Sequence, residues 1–246
     1  MRVPALCTLL AAGALGGLQA QALPTAEVLH AKYVEATGGR DAIASQTARR
    51  MWGHLSVPAQ GLGGPLEVYT AAPNKFYFRA EFTGLGEIIQ GYDGETAWTI
   101  NPALGPMILD GRALDQMRQA TDFYGTIHPE RYVMSAETIA EETFEGKPAY
   151  KVKVTTRWDE VYHEYFDKAS GLMLGVSRSQ ASPMGDIEAL TVFEDYKMMG
   201  GLRQPGVTRI RVQGFEQILR VDSVSTAPIP DSVFALPDVI KGLKPS

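Results

Sequence analysis

The side chains able to do chemistry are few and scattered. The histidines are His30, His54, His128 and His163. No two stand at i, i+2 or i, i+4, the spacings that place two metal ligands on one face of a strand or helix. His163 has Glu164 beside it and Asp159-Glu160 upstream. On a strand Glu164 points away from His163, so this run is not a ligand set and no metal site is expected. Nucleophiles are equally isolated. There is no G-x-S-x-G turn, and Ser135 and Ser182 have no histidine or lysine at a meaningful spacing. Gly61-Leu62-Gly63-Gly64 has the composition of a phosphate loop. It lies between two strands and opens no helix, so the helix-terminus reason for binding phosphate is missing. A hairpin loop between Val57 and Leu66 is expected there instead. Glu141-Glu142 and Asp159-Glu160 are chain neighbours that face opposite ways on a strand, and solvation accounts for them. The residues therefore point to no catalytic constellation and no cofactor, and to a protein that is not an enzyme.

The aromatic residues leave two readings open. Trp52, Trp98, Phe76, Phe78 and Phe82 fall in one block of the chain. Such a group either fills a core or lines a cavity for a greasy ligand.

The elements that position these residues begin after an export signal. Met1-Arg2 is a short positive start, Val3 to Leu18 is almost entirely apolar and small, and Ala20-Gln21-Ala22 offers a peptidase site. The run is too short for a comfortable membrane span. Residues 1–22 are read as a signal peptide and 23–246 as one domain, exported to the periplasm, or secreted if the source has no outer membrane. Cys7 lies in the signal, so the mature chain forms no disulfide. The whole chain has 23 Lys+Arg against 28 Asp+Glu, a net charge of −5, with the signs interspersed. Without a basic run, nucleic acid is not an expected partner. No apolar stretch after residue 22 reaches transmembrane length.

Thr25 to Ala36 has helical periodicity in Leu29, Tyr33 and Ala36, and Gly38-Gly39 is a stop signal. Asp41 to Gln46 reads as a further helical turn. From Thr47 the period changes to two. Met51, Gly53, Leu55 and Val57 oppose Arg50, Trp52, His54 and Ser56. Phe76, Phe78, Ala80 and Phe82 oppose Lys75, Tyr77, Arg79 and Glu81. Tyr150, Val152 and Val154 alternate likewise, as do Leu172, Leu174 and Val176. Asp93-Gly94, Glu145-Gly146-Lys147 and Asp167 to Gly171 are hairpin turns between such segments. Arg112 to Tyr124 returns to helical spacing. Ten or more strands joined by short turns make one antiparallel meander. Two short helices cannot cover it, so the sheet closes or curls, and its apolar side becomes a concave interior.

These segments carry a family resemblance. The opening Tyr33-Val34-Glu35-Ala36-Thr37-Gly38-Gly39-Arg40-Asp41-Ala42-Ile43 leads to Ala72-Pro73-Asn74-Lys75 and Gly91-Tyr92-Asp93-Gly94-Glu95-Thr96-Ala97-Trp98. Phe144-Glu145-Gly146-Lys147-Pro148-Ala149-Tyr150, Tyr165-Phe166-Asp167 and Asp231-Ser232-Val233-Phe234-Ala235-Leu236-Pro237 complete the series. Together they resemble the LolA/LolB-like superfamily of bacterial periplasmic proteins. The resemblance implies a mainly β fold, a strongly curved antiparallel half-barrel with helices covering its concave face. It also implies a non-catalytic binder or carrier of a lipid or acylated molecule. Met51, Leu55, Val57, Leu66, Val68, Phe76, Phe78 and Phe82 share faces of neighbouring strands and are expected to line the concave interior beneath the Arg112–Tyr124 helix, with Trp98 nearby. A monomer is expected. The alternatives are an accessory envelope subunit that docks a partner protein through its sheet, and an extracytoplasmic hydrolase.

Overall fold

The computed structural model describes residues 22–181 and 185–244. The expected signal segment, apart from Ala22, lies outside the described residues, as do Cys7 and Ser182. Helices α1 (Ala26–Thr37) and α2 (Arg40–Ala44) come first. Six strands follow: β1 (Ala48–Val57), β2 (Leu62–Ala71), β3 (Lys75–Phe82), β4 (Gly86–Tyr92), β5 (Ala97–Asn101) and β6 (Gly105–Leu109). Helix α3 (Gly111–Thr121) separates them from β7 (Val133–Phe144), β8 (Lys147–Thr156), β9 (Val161–Asp167) and β10 (Met173–Gln180). The chain continues through β11 (Ile187–Met199), β12 (Leu202–Val212), β13 (Phe215–Ser225) and a last short helix α4 (Asp238–Lys241).

All thirteen strands belong to one antiparallel sheet in the order β6-β5-β4-β3-β2-β1-β13-β12-β11-β10-β9-β8-β7. Each half is a simple meander, and the halves meet where β1 pairs with β13. β6 and β7 are left as edges, so the sheet is an open half-barrel. The turn chemistry explains the meander. Asp93 Oδ1 accepts hydrogen bonds from the Glu95 and Thr96 amides, at 2.8 and 2.7 Å, which folds the chain from β4 into β5. Glu145 and Gly146 both take positive φ, 47° and 78°, the geometry of a two-residue hairpin between β7 and β8.

Two expectations are corrected. The Gly61-Leu62-Gly63-Gly64 loop is shorter than its composition suggests. Gly61 alone takes the left-handed turn, with φ of 64°, and Gly63 and Gly64 already pair with Ser56 and Leu55 inside β2. A Cβ on Gly64 would lie 1.7 Å from the Glu81 carbonyl oxygen, so glycine serves the close approach of β3. Leu174 and Val176 do not share a face either. A bulge between Met173 and Gly175 breaks the register against β9. Val176 packs with Val152 and Val154, whereas Leu174 joins Phe144, Tyr165 and Val192 on the other side.

α1 lies on the concave side. Thr25 caps it, its hydroxyl accepting from the Val28 amide at 3.4 Å. Ala26 and Leu29 are buried with Val152, Val154, Tyr162 and Phe166 of β8 and β9. α3 lies on the same side and is held by polar contacts to β9 and β10, as described below. The convex side has a cover absent from the sequence expectations. After β13 the chain crosses the outer surface of the first meander. Arg50 donates to the Pro228 carbonyl, and Lys75 Nζ lies 2.8 Å from Asp231 Oδ1. A 3-10 turn at Asp231–Phe234 packs on β3 and α4 packs on β6, with Phe234 and Ile240 buried. Among the described residues no helix is long and apolar enough to cross a membrane.

Candidate functional site

The concave face has an apolar half and a polar half. In the first meander, directly opposed residues form rows across the strands, and opposed residues share a face. Arg49, Thr70, Phe76 and Tyr92 make one row; Met51, Val68, Phe78 and Gln90 make the next; Gly53, Leu66, Ala80 and Ile88 the third. Leu55, with Phe82 two strands away, and Val57, opposite Leu62, continue the series. Leu55, Val57, Leu66, Val68, Ala80 and Phe82 are buried, while Met51, Phe76, Phe78, Leu62, Ile88 and Leu219 pack against them half-buried. The structure thus gathers eight of the nine expected lining residues into one cluster.

Trp98 is the ninth, and it faces the other way. It pairs with Gly91 on β4 and Ile108 on β6, and Gly91 pairs with Tyr77. That row is the convex one, the side that carries Lys75 and the C-terminal segment. Trp98 is 1% exposed, and its indole lies over Gly91, where a Cβ would meet the ring at 2.4 Å. Counting alternation outward from Tyr92 across the Asp93-Gly94 turn shows the reason. Tyr92 opposes Ala97, so Trp98 is displaced by one residue from the concave face.

The polar half lies between α1, α3 and strands β7, β9 and β10. Four residues of the β8–β9 turn and β9 project inward in alternation: Glu160, Tyr162, Glu164 and Phe166. Glu160 sits at the mouth, its side chain 4% exposed, with Arg178 at 3.2 Å and Arg112 at 3.6 Å. Gln116 of α3 donates to it at 2.8 Å. Gln119, one turn on, donates to the Tyr162 hydroxyl at 3.1 Å, and the Arg178 guanidinium lies over the Tyr162 ring. Burial and the nearby Glu164 charge push the Tyr162 hydroxyl pKa well up, so it stays protonated. Deeper in, His30 Nε2 is 2.6 Å from Glu164 Oε2. His30 rests edge-on against Phe166, ring centroids 5.3 Å apart. This pair ties α1 to β9.

A cavity of about 210 Å³ opens beside the pair, lined among others by Tyr33, Gln119, Tyr132, Tyr162 and Met173. Burial and Asp122 push the Tyr132 hydroxyl up to about 12. The volume is below the roughly 300–1,000 Å³ of a small-molecule pocket. The cavity suits a chain end or a small group better than a whole lipid. It lies in the second meander, not beside Phe76, Phe78 and Phe82. Sequence reasoning missed His30 and Glu164 because they are 134 positions apart. The available signal was a carboxylate at an apolar position, Glu164 between Tyr162 and Phe166, with His30 next to the apolar stripe of α1.

The latch has a pH signature. Burial lowers the His30 pKa, but the hydrogen bond and charge of Glu164 outweigh it and the net shift is upward. A group with a raised folded pKa stabilises the fold below its unfolded value, about 6.5, and loses that contribution as pH rises through the folded value. The stability advantage of wild type over His30→Gln should therefore be largest near pH 6 and shrink toward pH 8.5. Urea titrations of both proteins across that range check it, and a constant difference would show that the pair is not titrating.

No family model matches the chain, and no curated protein sequence matches it. Solved structures do. A LolA superfamily protein from Nitrosomonas europaea superposes with a TM-score of 0.57 at 13% identity, covering 87% of this chain and 99% of that one. A DUF1329 family protein from Desulfovibrio piger gives 0.57 at 11% identity, covering 85% and 96%. A domain from Vibrio parahaemolyticus named for outer-membrane lipoprotein sorting gives 0.51 at 13% identity, covering 82% and 95%. At such identities the likeness is one of fold. The open thirteen-stranded half-barrel with helices packed into its concave side gives this chain the LolA-like fold.

Proposed function

We propose that the protein is an exported, non-catalytic carrier of a hydrophobic ligand, a lipid or an acylated molecule, held on the concave face in the periplasm. The observation that carries this reading is the apolar row cluster of β1–β4. Met51, Phe76, Phe78 and Ile88 are large and apolar, face the interior of an open half-barrel, and are left half-buried. α3 is hydrogen-bonded to the second meander through Gln116, Gln119 and Arg112, and its Arg118 reaches Tyr92 at the end of the first row. Burying ten methylenes at about 0.8 kcal/mol each gives roughly 8 kcal/mol, the micromolar range. The Vibrio protein's name, which refers to lipoprotein sorting, agrees with an acylated cargo.

The test is binding of a fluorescent fatty acid to protein stripped of lipid. Wild type should bind at micromolar concentration, and Phe78→Asp should abolish binding while the fold survives, because a carboxylate in the row opposes hydrocarbon burial. Phe78→Ala should cost less stability than the roughly 3–5 kcal/mol of a sealed core phenylalanine. Stripped wild type that binds no probe would favour the accessory-subunit reading. The unpaired edge strand β7, with Met134 and Ile139 exposed, then becomes the docking element to test.

A further inference from the structure

Arg49 is out of place in the apolar half. It occupies the first concave row, directly opposite Thr70 and in line with Phe76, and Met51 follows it on the same face. The other arginines contacting the concave polar network have acids: Arg178 and Arg112 both face Glu160. Arg49 has no carboxylate within 4 Å among the described residues. One guanidinium nitrogen donates to the neutral Gln46 side chain at 3.1 Å, and the charge lies over the Phe123 ring, 5.4 Å from its centroid. Its Nε is buried with no hydrogen-bond partner. Burial depresses its pKa, as for a cation without a counter-charge, and the neighbouring Tyr33 hydroxyl, its own pKa pushed up by burial, supplies none. A half-buried cation with a buried, unused donor is a costly arrangement unless an anion completes it.

The geometry around it sets the shape of that anion. From Arg49 the half-buried part of the rows, with Met51, Phe76, Phe78 and Ile88, runs four residues along β1 to the Gly53 row, roughly 13 Å at the usual strand rise, whereas Leu55 and Val57 beyond it are buried. One leaflet of a bilayer is about 15 Å of hydrocarbon, so most of an extended acyl chain lies along these rows with its head at the Arg49 end. We propose that the ligand is an amphiphile with a single anionic head group, its charge met by Arg49 and its tail laid against Met51, Phe78 and Ile88; this rests on the carrier reading above. A carboxylate or phosphate head would accept from the guanidinium, and Thr70 stands opposite as a second donor.

Three probes of equal tail and different head test it by calorimetry on stripped protein, below their micelle concentrations: dodecanoate, dodecanol and dodecyltrimethylammonium. Wild type should bind dodecanoate about tenfold or more tighter than dodecanol, as expected for a hydrogen bond to a charged group, and the cation most weakly. Arg49→Gln should bring dodecanoate down to the affinity of dodecanol and leave dodecanol unchanged, whereas Arg49→Lys should keep the preference. Equal binding of dodecanoate and dodecanol by wild type, or a preference that survives Arg49→Gln, overturns the anionic head while leaving the carrier reading in place. Failure of all three to bind overturns the carrier reading itself. The wild-type comparison decides the head group even if Arg49→Gln fails to fold.

Discussion

Phe166→Ala should destabilise the protein by about 3–5 kcal/mol, the range for deleting a sealed core aromatic. Phe166 is 0% exposed and sits where α1 meets the sheet. It packs with Ala26, Leu29, Val152, Val154 and Tyr162, and the rings of His30 and Tyr33 stand edge-on to it at 5.3 and 6.1 Å. Truncation opens a void under the helix and loosens the His30–Glu164 contact at the same time. Urea denaturation should show a large fall in midpoint, and amide exchange in α1 should accelerate more than in β1–β4. A loss below about 1 kcal/mol would mean that α1 is not anchored through this ring. Phe78→Ala, in the half-buried row, is the internal comparison and should cost less.

Glu160→Ala should rank with it. The carboxylate is 4% exposed and answers Arg178, Arg112, Gln116 and the Trp158 indole, the last at 3.3 Å. Removing it leaves the Arg178 guanidinium, 23% exposed, without an acid, while Arg112, 31% exposed, keeps Asp186. Breaking a buried pair from one side costs about 3–5 kcal/mol, and the partial exposure of the arginines puts the expected value at the lower end. Glu160→Leu combined with Arg178→Met should recover much of the loss, because a matched apolar pair removes the orphaned charge. Burial raises the Glu160 carboxyl, but the Arg178 charge and the hydrogen bonds from Trp158, Gln116 and Arg178 outweigh it, and its pKa falls below the usual range. Its contribution is therefore present above the ordinary carboxylate pKa and is lost as pH drops through the folded value. A wild-type stability advantage over Glu160→Ala that does not shrink on acidification would contradict this account.

The strands and hairpins were legible because period-two alternation and turn residues are local. Thr25 and Gly38 marked both ends of α1 within one residue. The meander also follows locally, since a two-residue turn such as Glu145-Gly146 admits an antiparallel neighbour alone. What was not legible depends on single-residue offsets or on distance. A one-residue bulge at Leu174 and a one-residue offset at Trp98 each reverse a face without changing the pattern around them. The thirteen strands agree with the ten or more read from the pattern; β5 was marked by its turn, and β6, five residues long, is too short to show a period. The C-terminal cover has no period at all and is placed by Arg50 and Lys75. His30 and Glu164 meet only through the docking of α1 on β9.

The pairing of β1 with β13 has a further consequence, in the order of events by which the protein forms. Arg50 opposes Ser225 and Ser56 opposes Ile218, so the seam between the halves joins the first strand made to the last. Every other pairing in the sheet is between chain neighbours. Each meander can assemble from short-range contacts, but the seam requires closing a loop of some 170 residues, a slow step that nothing rewards until it is complete. Until then the apolar rows of β1–β4 and the polar cluster under α3 belong to two separate sheets with open edges. A partly folded chain thus has no concave interior. The concave face is completed in the step that finishes the fold, so partial chains present sticky edges where the complete one presents a curved interior.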